Sequence, residues 1–429
     1  MTVAKDDAVR RPGLMPLAQA LSTLLGKAGP LPGRETVATL EADGRVLAQD
    51  LVSALDVPAH DNSAMDGYAV RCADVAAALA AGQALSVSQR IAAGHAGPAL
   101  APASVARIFT GAPVPAGADA VIMQEEGEAA SDEQGRSSVR FALAPQPGQW
   151  IRRQGEDVRK GATVLPAGTR LGPAELGLAA SMGFASLEVR PRVRVALFST
   201  GDELVMPGEI PPERMAPGAI YNSNRFFLRA LLQRLGCEVS DLGIVPDRRE
   251  ATVAALRSAA ESHDLILTSG GVSVGEEDHI KPAVQQLGGL DLWQIAIKPG
   301  KPFAHGWIAR ANGASCHFIG LPGNPVSSFV TFLLLVRPFL LRLQGVEVGD
   351  GLPQSIPMRA DFAIAKADRR REFLRVRRND QGGLDLFANQ SSGVLTSVVW
   401  GDGLVDLAAG STVARGDTVP FIPLEALLA

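Results

Sequence analysis

Three acidic side chains stand directly behind a glycine-rich turn in the stretch Leu265 to Lys281, which reads LILTSGGVSVGEEDHIK. Gly270 and Gly271 allow backbone angles closed to other residues. Ser273 and Gly275 keep the turn open, so that several N–H groups can aim at one anion. Glu276, Glu277 and Asp278 beside such a cradle repel a phosphate unless a divalent cation lies between them. A phosphorylated ligand held with a metal ion suits this pattern. A solvated turn before a helix with Pro282 in its first turn explains the same residues without chemistry.

Further groups of this kind recur along the chain. Asp202 and Glu203 follow the apolar run Val193–Phe198, and Asp247 follows Cys237–Val245. Lys298 and Lys301 bracket Pro299-Gly300, a stiff loop that turns two ammonium groups toward one place, where they serve an anion or remain surface charges. Gly320-Leu321-Pro322-Gly323-Asn324-Pro325 precedes a long apolar segment. Each has a structural alternative. Asp247 with Glu250 three residues on reads as a helix capping box, Glu203 as a solvated loop acid, and Asn324 as the partner of its own turn.

The elements that position these groups alternate. Strands are expected at 193–198, 237–245, 265–267 and 292–297, with helices at 224–235 and 248–262 and a short one after the glycine loop. Strand-helix alternation of this length implies right-handed crossovers, hence a doubly wound, mainly parallel sheet. Ligands of such sheets bind beyond the carboxyl ends of the strands, which is where the acids, lysines and glycine turns fall.

Around this centre, Pro16–Leu25 repeats leucine at helical spacing and stops at Gly26, and Glu35–Leu40 has a helical look. The stretch Leu55–Arg71, LDVPAHDNSAMDGYAVR, is polar without a clean period, either a functional loop or a hairpin with Asp66-Gly67 at its turn. Asp74–Leu143 holds short apolar runs that suit a β-rich module, with Thr110 presented by the rigid turn TGAPVP and 130–139 an exposed turn. Arg152 and Asp157 lie in the charged loop IRRQGED. After Gln344 short alternating runs suggest a small β-barrel. The expected organisation is an N-terminal α+β domain of 1–57 with 147–190, an inserted β-rich module at 58–146, an α/β domain at 191–343 and a β-barrel at 344–429.

Composition excludes several classes. The net charge is −4, with two Tyr and four Trp, which disfavours a nucleic-acid binder that neutralises phosphates or stacks bases. Three distant cysteines form no CxxC pair, and six scattered histidines form no HExxH. The first residues lack the apolar core of a signal peptide. The run FVTFLLLV is interrupted by Arg337-Pro338, so a buried core helix is expected rather than a membrane span, and the protein is expected in the cytoplasm.

Seven segments carry a more specific resemblance: DNSAMDGYAV at 61–70, RIFTGAPVP at 107–115, IRRQGED at 151–157, ALFSTGDEL at 196–204, SGGVSVGEEDHIK at 269–281, IAIKPGKPF at 295–303 and GLPGNPVS at 320–327. In this order they resemble the molybdopterin molybdenumtransferase family, to which the C-terminal domain of gephyrin also belongs. The resemblance implies insertion of molybdate into adenylylated molybdopterin with release of AMP, assisted by a divalent cation, usually magnesium. The pterin's own dithiolene sulfurs would ligate the molybdenum. Matched position by position, it implies functional roles for Asp66, Thr110 and Asp157, for the acids Glu203, Asp247 and Asp278 as cation ligands, and for Lys298 and Lys301. It further implies ligand contacts from Arg152, Ser269, Gly270, Gly271, Ser273, Gly275, Pro322, Asn324, Pro325, Arg375 and Ser392. The Gln390-Ser391-Ser392-Gly393 segment departs from the family pattern. A homodimer whose N-terminal segments complete the partner's site is implied as well, with transient contacts to the adenylyltransferase and to recipient molybdoenzymes or their chaperones. A molybdopterin adenylyltransferase shares the α/β domain and a glycine-rich loop but not the flanking domains, and a gephyrin-like scaffold would not need the acids and lysines.

Overall fold

The computed structural model describes residues 13–131, 133–271 and 279–428. At its centre six strands form one sheet: β1 Arg194–Thr200, β2 Glu238–Val245, β3 Leu265–Ser269, β4 Gly288–Gln294, β5 Pro302–Ala309 and β6 Ser315–Leu321. Their spatial order is β2-β1-β3-β6-β5-β4. The first four are mutually parallel, while β5 runs antiparallel to both β6 and β4. The strand expected at 292–297 thus begins earlier, at Gly288, as the edge strand β4. Alternate side chains feed two cores, as the pleat requires. Val195, Leu197, Leu265, Leu267 and Ile319 face the layer of helix α1, Asn224–Arg234, and of the long helix α4, Pro325–Leu343. Ala196, Phe198, Ile266 and Phe318 face helices α2, Arg249–Ser262, and α3, Ile280–Leu287. Both faces are covered, which is the doubly wound arrangement.

Helix α4 has a mean hydropathy of 1.7, enough by composition to cross a membrane, yet 89% of it is buried inside this protein. Its middle, Phe332–Val336, is wound as a π-helix just ahead of Pro338. Proline supplies no N–H and crowds the carbonyl four residues back, and the wider turn relieves both.

The N-terminal half runs out and returns. Glu35–Ala38 pairs with Ser186–Val189, Leu51–Val52 with Thr163–Leu165, and Asn62–Ser63 with Ile151–Arg152, all antiparallel. Residues 35–38 are therefore strand, followed by a 3-10 turn at Thr39–Glu41, and not the helix their pattern suggested. β-Branched Thr36 and Val37 suit a strand, and the returning chain supplies the hydrogen bonds that decide it. Helix Leu17–Leu25 lies elsewhere: Leu17, Leu21 and Leu24 join the core of the α/β unit rather than that of 35–58. Residues 67–141 form a six-stranded sheet with helix Cys72–Ala81, which the alanine-rich sequence had hidden. Asp66-Gly67 is not a hairpin turn, because Gly67–Val70 pairs with Ser104–Ile108 and Ala120–Met123. A Cβ at Gly67 would stand 1.9 Å from the Ile122 carbonyl oxygen, so only glycine fits there. Residues 130–139 contribute to a strand pair, Gly127–Ser131 with Ser137–Phe141.

After residue 355, five strands close on themselves. Arg371–Arg378 pairs with Gly383–Leu386 and with Gly403–Leu407, and Thr418–Pro423 joins Gly403–Leu407 to Ile356–Ala360, which returns to Gly383–Leu386. Leu374, Val376, Leu384, Val405 and Phe421 fill this small barrel.

Candidate functional site

Parallel strands β1, β2, β3 and β6 end at one edge of the sheet, and β5 begins there. Beyond that edge opens a cleft of about 750 Å³. Thr200, Gly201 and Glu203 approach it from β1, Asp247 from β2, and Ser269, Gly270 and Gly271 from β3; Pro322, Asn324 and Pro325 follow from β6. Of the groups that sequence alone assigned to this rim, these meet in one cleft, whereas Asp202, Lys298 and Lys301 are not among its lining residues. Ser273, Gly275 and Asp278 lie outside the described residues.

The rim is held by a strut that sequence reasoning missed. Asn224, buried at the start of α1, donates through Nδ2 to Ser269 Oγ and to the Gly323 carbonyl, both at 2.7 Å. It thereby ties the end of β3 to the Gly320–Pro325 loop. Nothing in the run Asn222-Ser223-Asn224 announced it, because Asn and Ser are ordinary residues at a helix start. Gly270 donates its N–H to the Leu321 carbonyl at 3.0 Å. Gly270 and Gly271 hold φ of +96° and +66°, and a Cβ on Gly271 would stand 2.7 Å from Ile280 Cδ1. Ser199 Oγ and Asn222 Nδ2 line the cleft without a hydrogen-bond partner among the described residues. Such orphans suit a polar occupant.

The electrostatics are one-sided. Among the described residues the lining carries the carboxylates of Glu203 and Asp247 and no Lys, Arg or His. No described cluster of three or more His, Cys, Asp or Glu forms a metal site by itself. The capping box read from Asp247 and Glu250 is not seen among the described residues: the N-cap position of helix α2 is Arg248, which makes no side-chain cap hydrogen bond.

Lys298 and Lys301 are not in the cleft lining. The Lys298 ammonium bonds Glu372 at 2.7 Å and Asp368 at 3.3 Å on the barrel, and the bond to Glu372 holds its pKa above the usual lysine range. Lys301 is exposed. Arg375 is buried in the barrel and bonds Ser397 Oγ at 3.2 Å, Phe373 O at 3.1 Å and Ser391 O at 3.4 Å. Burial lowers its pKa to about 10. Through these bonds it holds the 390–397 segment, whose Ser392 carbonyl accepts the Val326 N–H at 2.9 Å and whose Gly393 lines the cleft. Arg375 thus positions a wall of the cleft without lining it.

In the N-terminal half, Asp66 accepts from both the N–H and the hydroxyl of Thr110 at 2.8 Å. The backbone bond, then the hydroxyl, hold its carboxyl below the usual carboxylate range. Asp157 is exposed, with its N–H on the Val57 carbonyl, and Arg152 leans on Glu156 at 3.5 Å. None of these four lines the cleft, whose described lining spans Ser199 to Gly393.

Comparison with known proteins matches this layout along its length. The MoeA N-terminal region (domains I and II) matches residues 15–183, a probable molybdopterin binding domain matches 196–342, and the MoeA C-terminal region (domain IV) matches 357–424. The molybdopterin molybdenumtransferase of Haemophilus influenzae is 40% identical over 423 residues, covering 97% of this chain and all of its own. That of Synechococcus elongatus is 37% identical over 411 residues, covering 94% and 98%. The solved molybdopterin biosynthesis MoeA protein of Pyrococcus horikoshii OT3 superposes with a TM-score of 0.80 at 28% identity, covering 96% of this chain and all of that one. With the same order of regions and identity of this extent from end to end, the chain belongs to the molybdopterin molybdenumtransferase family.

Proposed function

We propose that this protein inserts molybdate into adenylylated molybdopterin, releasing AMP, in molybdenum cofactor biosynthesis. The observation that carries the reading is the cleft itself: a turn of two positive-φ glycines faces two carboxylates in a lining without basic side chains. A pyrophosphate placed there meets repulsion from Glu203 and Asp247 unless a divalent cation is shared between them. Magnesium, or another divalent cation, fits this donor set, with Glu203, Asp247 and Asp278 holding it. When bound it neutralises the pyrophosphate and polarises the bond to be broken.

The chain's own groups then divide the work. Ser269, Gly270 and Gly271, with Ser273 and Gly275, cradle the phosphates, and Asn224 keeps that turn in register with Pro322, Asn324 and Pro325. The positive end of helix α4 opens at Pro325 toward the same anion. Arg375 and Ser392 fix the barrel segment that closes the cleft, and Lys298 and Lys301 hold the molybdate oxyanion at the junction with the barrel. Asp66, Thr110, Arg152 and Asp157 complete the site from the second subunit of a homodimer, for which the absence of N-terminal residues from the described cleft lining speaks. The protein works in the cytoplasm, in transient contact with the adenylyltransferase and with recipient molybdoenzymes or their chaperones. In this reading 1–57 with 147–190, 58–146, 191–343 and 344–429 are separate domains, except that helix Leu17–Leu25 packs in the core of the third.

The direct test is turnover with purified protein: molybdate-dependent AMP release is expected, and ATP-dependent adenylylation or no turnover would refute the assignment. The shared site is tested by complementation. Asp66→Ala and Asp247→Ala homodimers should be nearly inactive, and subunit exchange between them should restore activity, because one site of each heterodimer is then intact. Heterodimers that form without recovery would place both residues in a site built from one chain.

A further inference from the structure

The six-stranded sheet of residues 67–141 carries its own concavity, about 640 Å³ in volume, bounded by Tyr68, Ser86–Arg90, Arg107, Ala129–Ser131 and Gly135–Ser138. It shares no residue with the cleft at the strand ends. Its described lining holds three arginines, five serines and no acid. The arginines do not all owe their place to counter-charges. The Arg90 guanidinium lies 4.5 Å from the centre of the Phe109 ring and that of Arg107 lies 4.6 Å from the same ring. The two charges therefore stand within about 9 Å of one another, the sum of these distances, close enough to repel where water is displaced. Neither makes an ion pair with an acid among the described residues. Arg107 spends its donors on the Gly67 and Ile108 carbonyls and on Gln124, all uncharged groups. The exposed Arg90 side chain makes no hydrogen bond among the described residues, so its five N–H groups are available to a ligand.

Cation–π contact with a ring uses up none of a guanidinium's N–H donors, so those not already bonded stay available for hydrogen bonding. An anion among them would relieve their repulsion and accept charge-assisted bonds from both, with hydroxyls of the serine-rich wall as further donors. The volume is that of a small-molecule site. We infer that this concavity is a second binding site, for a small ligand bearing a tetrahedral oxyanion. The oxyanion is either free inorganic phosphate or the phosphate group of a monoester, and the same two arginines serve both.

The test is calorimetric titration of the full-length protein at low salt with inorganic phosphate in one arm and glycerol 3-phosphate in the other. A chelator is present, so that the acid-lined cleft, stripped of divalent cations, repels anions. Saturable binding of one equivalent per chain is expected in at least one arm, and the tighter arm identifies the source. Arg90→Glu should weaken it by about tenfold or more, and Arg90→Gln by less, since only the former adds a repelling charge. Arg90 lies on the surface, so both variants should keep the parent circular dichroism and AMP-release rate. No saturable binding in either arm, or equal affinity in the parent and Arg90→Glu, would overturn the inference.

Discussion

Lys298 joins the α/β unit to the barrel, and breaking that link separates its structural role from its proposed role toward molybdate. At 2.7 Å from Glu372 Oε1 the ammonium gains about 6 kcal/mol of Coulomb energy at an effective dielectric of about 20. Its side chain is 41% exposed whereas that of Glu372 is 7% exposed, so solvent on the lysine side screens most of this, leaving a net of about 1–2 kcal/mol. Lys298→Ala should therefore lower unfolding free energy in urea by about 1–2 kcal/mol, because the Glu372 carboxylate is left buried with one fewer cation. Glu372→Gln keeps an acceptor oxygen and should cost less. The double variant should show a coupling of about 1 kcal/mol in the cycle, and additivity within about 0.3 kcal/mol would refute the pair as a structural link. The same three variants are then assayed for AMP release against molybdate. If the ammonium serves the oxyanion, Lys298→Ala raises the molybdate KM, while Glu372→Gln, which frees the ammonium, leaves it unchanged or lower. Equal increases in both variants would show that Lys298 acts on molybdate only by holding the barrel in place.

Three further outcomes are expected. Asp247→Ala should reduce turnover by about 10²-fold or more while leaving the melting temperature nearly unchanged, since Arg248 rather than Asp247 stands at the helix start; a lower melting temperature with full turnover would reverse the assignment. Gly271→Ala forces a side chain into φ +66° against Ile280, a strain of about 1–2 kcal/mol, and should cut AMP release about tenfold or more with little loss of secondary structure; undiminished release would mean that the turn's conformation is immaterial. His305 is buried with no hydrogen-bond partner on either ring nitrogen among the described residues, and burial lowers its pKa to about 3. The unfolded chain binds the proton first as pH falls below about 6.5, so folding stability should decline from there toward pH 4, by about 2 kcal/mol at pH 5. In His305→Phe that slope should flatten; urea titrations at pH 7 and pH 5 with equal slopes in both proteins would refute it.

The central sheet was legible because its signals are local. Leu265–Leu267 is a short apolar run between polar residues, helix 249–262 repeats its apolar positions every three to four residues, and turns between them carry Gly, Pro, Asp or Asn. From that alternation the parallel order and the shared carboxyl edge follow, and with them the meeting of Glu203, Asp247, Gly270 and Asn324 in one cleft. Residues 35–40 misled because a short segment carries too little periodicity to outweigh a pairing partner 150 residues away. The alanine-rich helix 72–81 has no polar face to distinguish it.

By itself, then, the sequence determined the alternating elements, the edge at which they end and the chemical types gathered there, since each depends on residues within a turn or two of one another. Only the tertiary structure decided that Lys298 turns to Glu372 and Asp368, that Arg375 supports a wall of the cleft from inside the barrel, and that Asn224 ties two loops together. It also decided that two arginines share the ring of Phe109. A long polar side chain reaches several partners from one backbone position, and which of them it meets depends on surfaces brought together from far along the chain.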